Sequence, residues 1–152
     1  MLVQLNRPDD RKFTAAGTNL PYNAAVTRTM SPVVAVLGHP GRVAGLRSQL
    51  PAGWSMREIR NLGDVHPEEI LLFTEAGEQD IRSARALLPR RALVVALVDS
   101  EAPAELVAAV LTAGADVCVR GGQPAILASH LVACRRRQLA DRWAALAATA
   151  QA

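Results

Sequence analysis

Aromatic side chains are scarce in this chain: two Trp, two Phe and one Tyr, 3 % of 152 residues. With so few rings, the core must be filled by aliphatic side chains and Ala packed to ordinary protein density. Lysine is scarcer still. Lys12 is the only one, and the other sixteen basic residues are Arg. No mechanism that needs a lysine inside the folded domain is therefore open to the chain. The two cysteines, Cys118 and Cys134, lack metal-ligand spacing, which argues against zinc modules and disulfide scaffolds. No apolar run approaches the roughly 18 residues of a membrane span. The first thirty residues lack the basic start and continuous apolar stretch of a secretory signal. A formal net charge of +3 is too small to imply nucleic-acid binding by itself. What remains is a soluble globular composition, half apolar and a fifth charged, of one-domain length. A cytoplasmic setting is expected, with no membrane partner, no direct nucleic-acid partner, no metal and no cofactor.

Residues 1–31 read as a flexible N-terminal tail. Asn6 to Lys12, Gly17-Thr18-Asn19 and Pro21-Tyr22-Asn23 show no sustained period of 2 or 3.6. Ordering a residue costs about 1–2 kcal/mol, which so few apolar groups cannot offset. Met30 stands just before the first strong apolar run and is an alternative translation start.

Regular structure begins at Ser31. Val33–Leu37 reads as a buried strand closed by Gly38-His39-Pro40-Gly41, and Val43, Leu46 and Leu50 fall at helical spacing up to Pro51-Ala52-Gly53. Trp54–Ile59 and Glu69–Phe73 are the second and third strands. Ile81, Ala84 and Leu88 share a helical face ended by Pro89. Leu93–Val98 is the strongest strand. Asp99-Ser100 can cap the helix after it, which carries Leu106, Val107, Val110 and Leu111 and ends at Gly114. Val117–Val119 is a fifth strand, in a central-type position, and Pro124 opens a last helix able to reach Ala150.

Five strands alternating with five helices predict an α/β, flavodoxin-like (βα)5 three-layer sandwich. Its parallel five-stranded sheet has the order 2-1-3-4-5, and an extended C-terminal helix follows. Ligands in such sheets bind at the carboxyl ends of the strands. The candidate crevice is His39, Arg42, Thr74, Ser100 and Arg120. Gly38, His39, Gly41 and Arg42 either hold a small anion or nucleotide at a helix N-terminus, or shape a turn that leaves His39 solvated. Glu75, Glu78 and Asp80 read as a solvated helix start. Cys118 and Cys134 read as small core residues.

Leu111 to Val119, with its Ala113-Gly114-Ala115-Asp116 core, resembles the end of a response-regulator receiver domain. Pro67-Glu68-Glu69-Ile70-Leu71-Leu72-Phe73 is similar to that family's third strand. The resemblance spans residues 32–138, with 139–152 a C-terminal helix extension. It implies an acidic pair after the first strand, a phosphoacceptor Asp ending the third, a hydroxyl after the fourth and a Lys after the fifth. Here stand Gly38-His39-Pro40, Phe73 and Thr74, Ser100, and Arg120. Aspartyl phosphorylation needs a carboxylate nucleophile and a cation held by oxygen ligands, so the chain resembles a degenerate, pseudo-receiver form without catalytic residues, phosphoacceptor or metal site.

The resemblance places signalling on the face made by the fourth helix, fifth strand and fifth helix, where receivers dimerise. Leu106, Val110, Leu139, Trp143 and Leu146 are the candidate interaction residues. The last helix packs Leu127, Leu131 and Cys134 on the sheet, and its apolar stripe continues past Arg135-Arg136-Arg137 as Leu139, Trp143 and Leu146. The expected function is a phosphorylation-independent regulatory module, an atypical response regulator of the kind found in two-component signal transduction and transcription regulation. It would act as a homodimer or on a protein partner. Two alternatives are a small-ligand sensor around His39, and a pseudo-receiver partner of a ParA/MinD-type ATPase. No nucleophile, base and orienting group assemble from the strand-end residues, so no enzyme is expected.

Overall fold

The computed structural model describes residues 31–151. The tail expected over the first thirty residues, with Met30, lies outside the described residues. Five parallel strands, β1 (Val33–Leu37), β2 (Ser55–Ile59), β3 (Ile70–Phe73), β4 (Leu93–Val98) and β5 (Val117–Arg120), form one sheet in the order β2-β1-β3-β4-β5. The register sets Val34 beside Ile70, Ile70 beside Leu93 and Val95 beside Val117. Four α-helices accompany it: α1 (Leu46–Gln49), α2 (Glu78–Leu87), α3 (Ala104–Ala113) and α4 (Pro124–Gln151).

β3 and β4 are buried at every position, the pattern of parallel strands covered on both faces. Alternate side chains supply the two cores. Val34, Val36, Ile70, Leu72, Val95 and Leu97 meet Leu46 of α1 and Leu127, Leu131 and Cys134 of α4. Ala35, Leu71, Phe73, Val94 and Ala96 meet Ile81 and Ala84 of α2 and Val110 of α3. The low aromatic content has its counterpart here, since the only aromatic ring buried in either cluster is Phe73.

The fold class and strand order are as the sequence indicates, but the helix count is not. Only a 3-10 turn, Leu62–Asp64, connects β2 to β3. Asn61, Gly63 and Pro67 punctuate that segment too closely for a helix to propagate. Val43 belongs to a 3-10 turn, Pro40–Val43, and Gly45, with φ +85°, separates it from the single turn of α1. Asp99 does not cap α3. Pro103 occupies the N-cap, and the Asp99 carbonyl accepts from Ala102 N. β5 is a sheet edge, not a central strand, so Cys118 is half-buried. Cys134 is buried in the core, and burial pushes its thiol up to about 11. α4 runs through residue 138 without a break.

Where the helix between β2 and β3 is missing, an ion pair between half-buried Arg57 and buried Glu69 ties the connection down. Arg57 of β2 donates from Nε to Glu69 Oε2 and from Nη2 to Glu69 Oε1, each at 2.6 Å. Its Nη2 also donates to the Asp64 carbonyl, and His66 N donates to Glu69 Oε1 at 2.7 Å. Burial alone raises the Glu69 carboxyl, but the Arg57 guanidinium and the His66 N–H outweigh it and hold the group below the ordinary carboxylate range.

The Ala113-Gly114-Ala115-Asp116 segment has an architectural role. Gly114 ends α3 at φ +128°, where a Cβ would meet Arg85 Cγ at 2.3 Å. Asp116 pairs with the start of β4 through Asp116 N to Val94 O and Val94 N to Asp116 Oδ2, both 2.8 Å. Arg85 of α2 then donates to the carbonyls of Gly114 and Ala92, each at 2.8 Å, and to Asp116 Oδ2 at 2.5 Å.

Glu69→Ala should cost about 1–3 kcal/mol in urea unfolding at pH 7, because it removes the bidentate partner of Arg57 and leaves His66 N without its acceptor. The folded-state pKa of Glu69 lies below its unfolded value, so its contribution is complete above pH ~4.3 and is lost as pH falls through the folded pKa. Glu69→Gln should therefore flatten the loss of stability between pH 5 and acid, measured against the parent by chemical denaturation at each pH.

Candidate functional site

The carboxyl ends of β1, β3 and β4 bring together the loops after Leu37, Phe73 and Val98. Phe73, the last residue of β3, is 6 % exposed and packed in the α2–α3 core. Thr74 follows it, fully buried. Its Oγ1 accepts from His39 N at 2.7 Å and donates to the Leu37 carbonyl at 3.3 Å. The hydroxyl proton is thereby committed to a backbone acceptor, and no base is positioned to remove it. Gly38, at φ +117°, makes this contact possible, since a Cβ there would lie 2.1 Å from Thr74 Oγ1. The first βα loop is thus locked to the end of β3.

Arg42 spans the crevice. Its Nη2 meets Asp99 Oδ1 at 2.5 Å and its Nη1 meets Glu75 Oε1 at 3.4 Å. Hydrogen bonding to Asp99 is the main reason its pKa lies above the ordinary arginine value. Glu75 also lies 3.8 Å from His39 Nε2. His39, Glu75 and Asp99 are all exposed, so these pairs hold loops in register more than they stabilise the fold. Arg42 neutralises both carboxylates that approach the strand ends. Among the described residues no cluster of three or more His, Cys, Asp or Glu can hold a metal.

The crevice residues are spread out, with Arg42 as the link between them. His39, Arg42 and Thr74 converge, whereas Ser100 is exposed on the far wall of an open groove of about 570 Å³ lined by Arg42, Asp99, Ser100, Leu106, Gly121 and Gly122. Arg120 is exposed at the end of the edge strand and makes no ion pair among the described residues. His39 opens a 3-10 turn followed by a one-turn helix, so the helix N-terminus expected to hold an anion is not there. Asp99 and Glu75, the partners of Arg42, were not foreseen as a unit. They stand 57 and 33 residues from Arg42, and no local pattern encodes such a bridge.

The interaction residues divide as well. Val110 is completely buried beneath α3 and belongs to the core, not to a docking face. Leu106 and Leu139 are half-buried, while Trp143 and Leu146 are 64 % and 53 % exposed. The buried stripe of α4 does not continue into Leu139, Trp143 and Leu146. It runs from Leu127, Leu131 and Cys134 through Gln138 to half-buried Arg142 and Ala145. The exposed stripe lies one residue on, about 100° around the helix. The two are separate faces.

Thr74→Val should cost about 1–3 kcal/mol in thermal or urea unfolding, because His39 N loses its acceptor and the Leu37 carbonyl loses a donor. No protein-family model matches this chain, and no curated protein matches it.

Proposed function

We propose that this chain is a phosphorylation-independent regulatory module of degenerate receiver type, acting through self-association of its last helix. The observation that carries the reading is the contrast between the two surfaces of interest. At the strand ends, the phosphoacceptor place holds a buried Phe73, Thr74 is locked into backbone hydrogen bonds, and Arg42 occupies the space between the loops. On α4, Trp143 and Leu146 stand in solvent.

The geometry of α4 favours a second copy as the occupant. The helix has 28 residues, about 42 Å at 1.5 Å per residue. Its last ion pair to the domain, among the described residues, is Arg142 to Glu68 at 3.7 Å. Trp143–Gln151 therefore extends about 14 Å further. Leu139, Trp143, Leu146 and Ala150 recur at spacings of four, three and four, the alternation of a two-helix seam. Ala144, Ala147 and Ala148 beside them allow the backbones to approach closely. A seam of this kind is self-complementary about a two-fold axis.

The sensor reading has less behind it. The groove beside Ser100 is open to solvent, and its one cation, Arg42, is already held by Asp99 and Glu75. A partnership with a ParA/MinD-type ATPase is compatible with the same helix but has no observation of its own.

Light scattering behind size exclusion, on the full chain over a concentration series, tests the proposal. The parent should elute with dimer mass at high concentration, and Trp143→Ala should shift the midpoint at least tenfold towards monomer, as expected for loss of a central aromatic anchor. A monomer at all concentrations overturns it. Incubation with Mg²⁺ and acetyl phosphate should leave the intact mass unchanged, and an added phosphoryl group would remove the phosphorylation-independent part of the reading.

A further inference from the structure

At the opposite end of the sheet, beneath the amino ends of β4 and β5, lies a pocket of about 250 Å³. The turn Pro89-Arg90-Arg91 forms one wall, and Arg137, Gln138, Asp141 and Arg142 of α4 form the other, with Leu93 and Asp116 between them. The walls are held firmly. Arg85 fixes the turn through the Ala92 carbonyl, and Ala92 N donates back to Pro89 O at 3.0 Å. Gln138 Nε2 reaches the Glu68 carbonyl at 3.5 Å.

Charge around this pocket is unbalanced. Asp116 is consumed by Arg85 and Val94 N. Glu68 is shared by Arg142 at 3.7 Å and Arg135 at 4.0 Å. Arg90, Arg91 and Arg137 are exposed and have no ion-pair partner among the described residues, and Asp141 is the one carboxylate left on the lining. Counting Arg85 and Arg135 with the lining, six arginines face three carboxylates. That excess of three equals the formal net charge of the whole chain. Arg135, buried behind the wall, feels the field: desolvation lowers its pKa, Glu68 opposes this, and the neighbouring Arg142 lowers it further.

We infer that this pocket binds a phosphate dianion, either free or as the terminal group of a small phosphomonoester, through Arg90, Arg91 and Arg137. Guanidinium forks match phosphate oxygens two at a time. Two elements contribute them, so an anion set between the walls is approached from two sides. The volume suits phosphate with a short substituent and is smaller than the range usual for drug-sized ligands. The inference does not rest on self-association of α4.

The probes are inorganic phosphate and glycerol 3-phosphate, titrated calorimetrically into the full chain and followed by thermal unfolding against sodium chloride of equal ionic strength. At tenfold saturation the melting temperature should rise by roughly 4 °C over the chloride control. Arg91→Gln on the turn and Arg137→Gln on the helix should each weaken binding about tenfold or more. Arg42→Gln, at the far end of the sheet, should leave it unchanged. Tighter binding of glycerol 3-phosphate makes the ligand an ester, and equal or weaker binding makes it free phosphate. No shift over chloride, or a shift that survives both Arg91→Gln and Arg137→Gln, overturns the site.

Discussion

Two-sided burial of β3 and β4 is the constraint from which the rest of this structure follows. A parallel strand covered on both faces presents no side chain to water, so its connections must cross the sheet and its functional groups can sit only at strand ends, at edges and on the outer helix faces. Among the described residues, the strand-end loops and the arginine-lined pocket both lie in such places. The ten residues of the two central strands contribute apolar side chains alone, and the polar groups that border them are committed to holding loops.

That commitment sets the character of the strand-end crevice. In this protein the three loops that would carry reacting groups are joined to one another: His39 N to Thr74, Thr74 to the Leu37 carbonyl, Arg42 to Glu75 and Asp99. Thr74, Arg42, Glu75 and Asp99 each have a partner within the protein, which leaves little free-energy gain for a ligand that must first break those pairs. At the amino ends of the strands the opposite holds. There Asp116 and Glu68 are spent on Arg85, Arg135 and Arg142, and Arg90, Arg91 and Arg137 face Asp141 alone. Reactivity towards an outside anion depends on that local imbalance, not on total charge.

The two partly buried ion pairs do comparable work on different gaps. Arg57 with Glu69 fastens a connection that has no helix to cover it, and Arg85 with Asp116 closes the joint between α2, α3 and β5. Both involve Arg, whose planar fork supplies several donors in fixed directions. A chain with a single lysine, and that one outside the described residues, has placed its positive charge almost wholly in this more directional form.

Apolar runs separated by glycine and proline punctuation were enough to specify the interior strands β1, β3 and β4, and the alternation of strands with helical segments specified the order, because strand burial is written as local composition and crossover handedness prunes the rest. That β3 ends in Phe73 and Thr74 and carries no carboxylate there was equally legible, since these are identities and need no geometry. Helical spacing was a weaker guide. It merged two faces of α4 that differ by one residue in register, while the receiver resemblance put Val110 on an interaction face although its side chain is wholly buried. The helix expected between β2 and β3 failed for want of an uninterrupted segment. What only the tertiary structure decided is pairing at long range: which carboxylate each arginine reaches, which arginines are left over, and which pocket they line. Sixteen Arg residues among fourteen acids allow many pairings, and only the fold's placement of loops from distant parts of the chain selects among them.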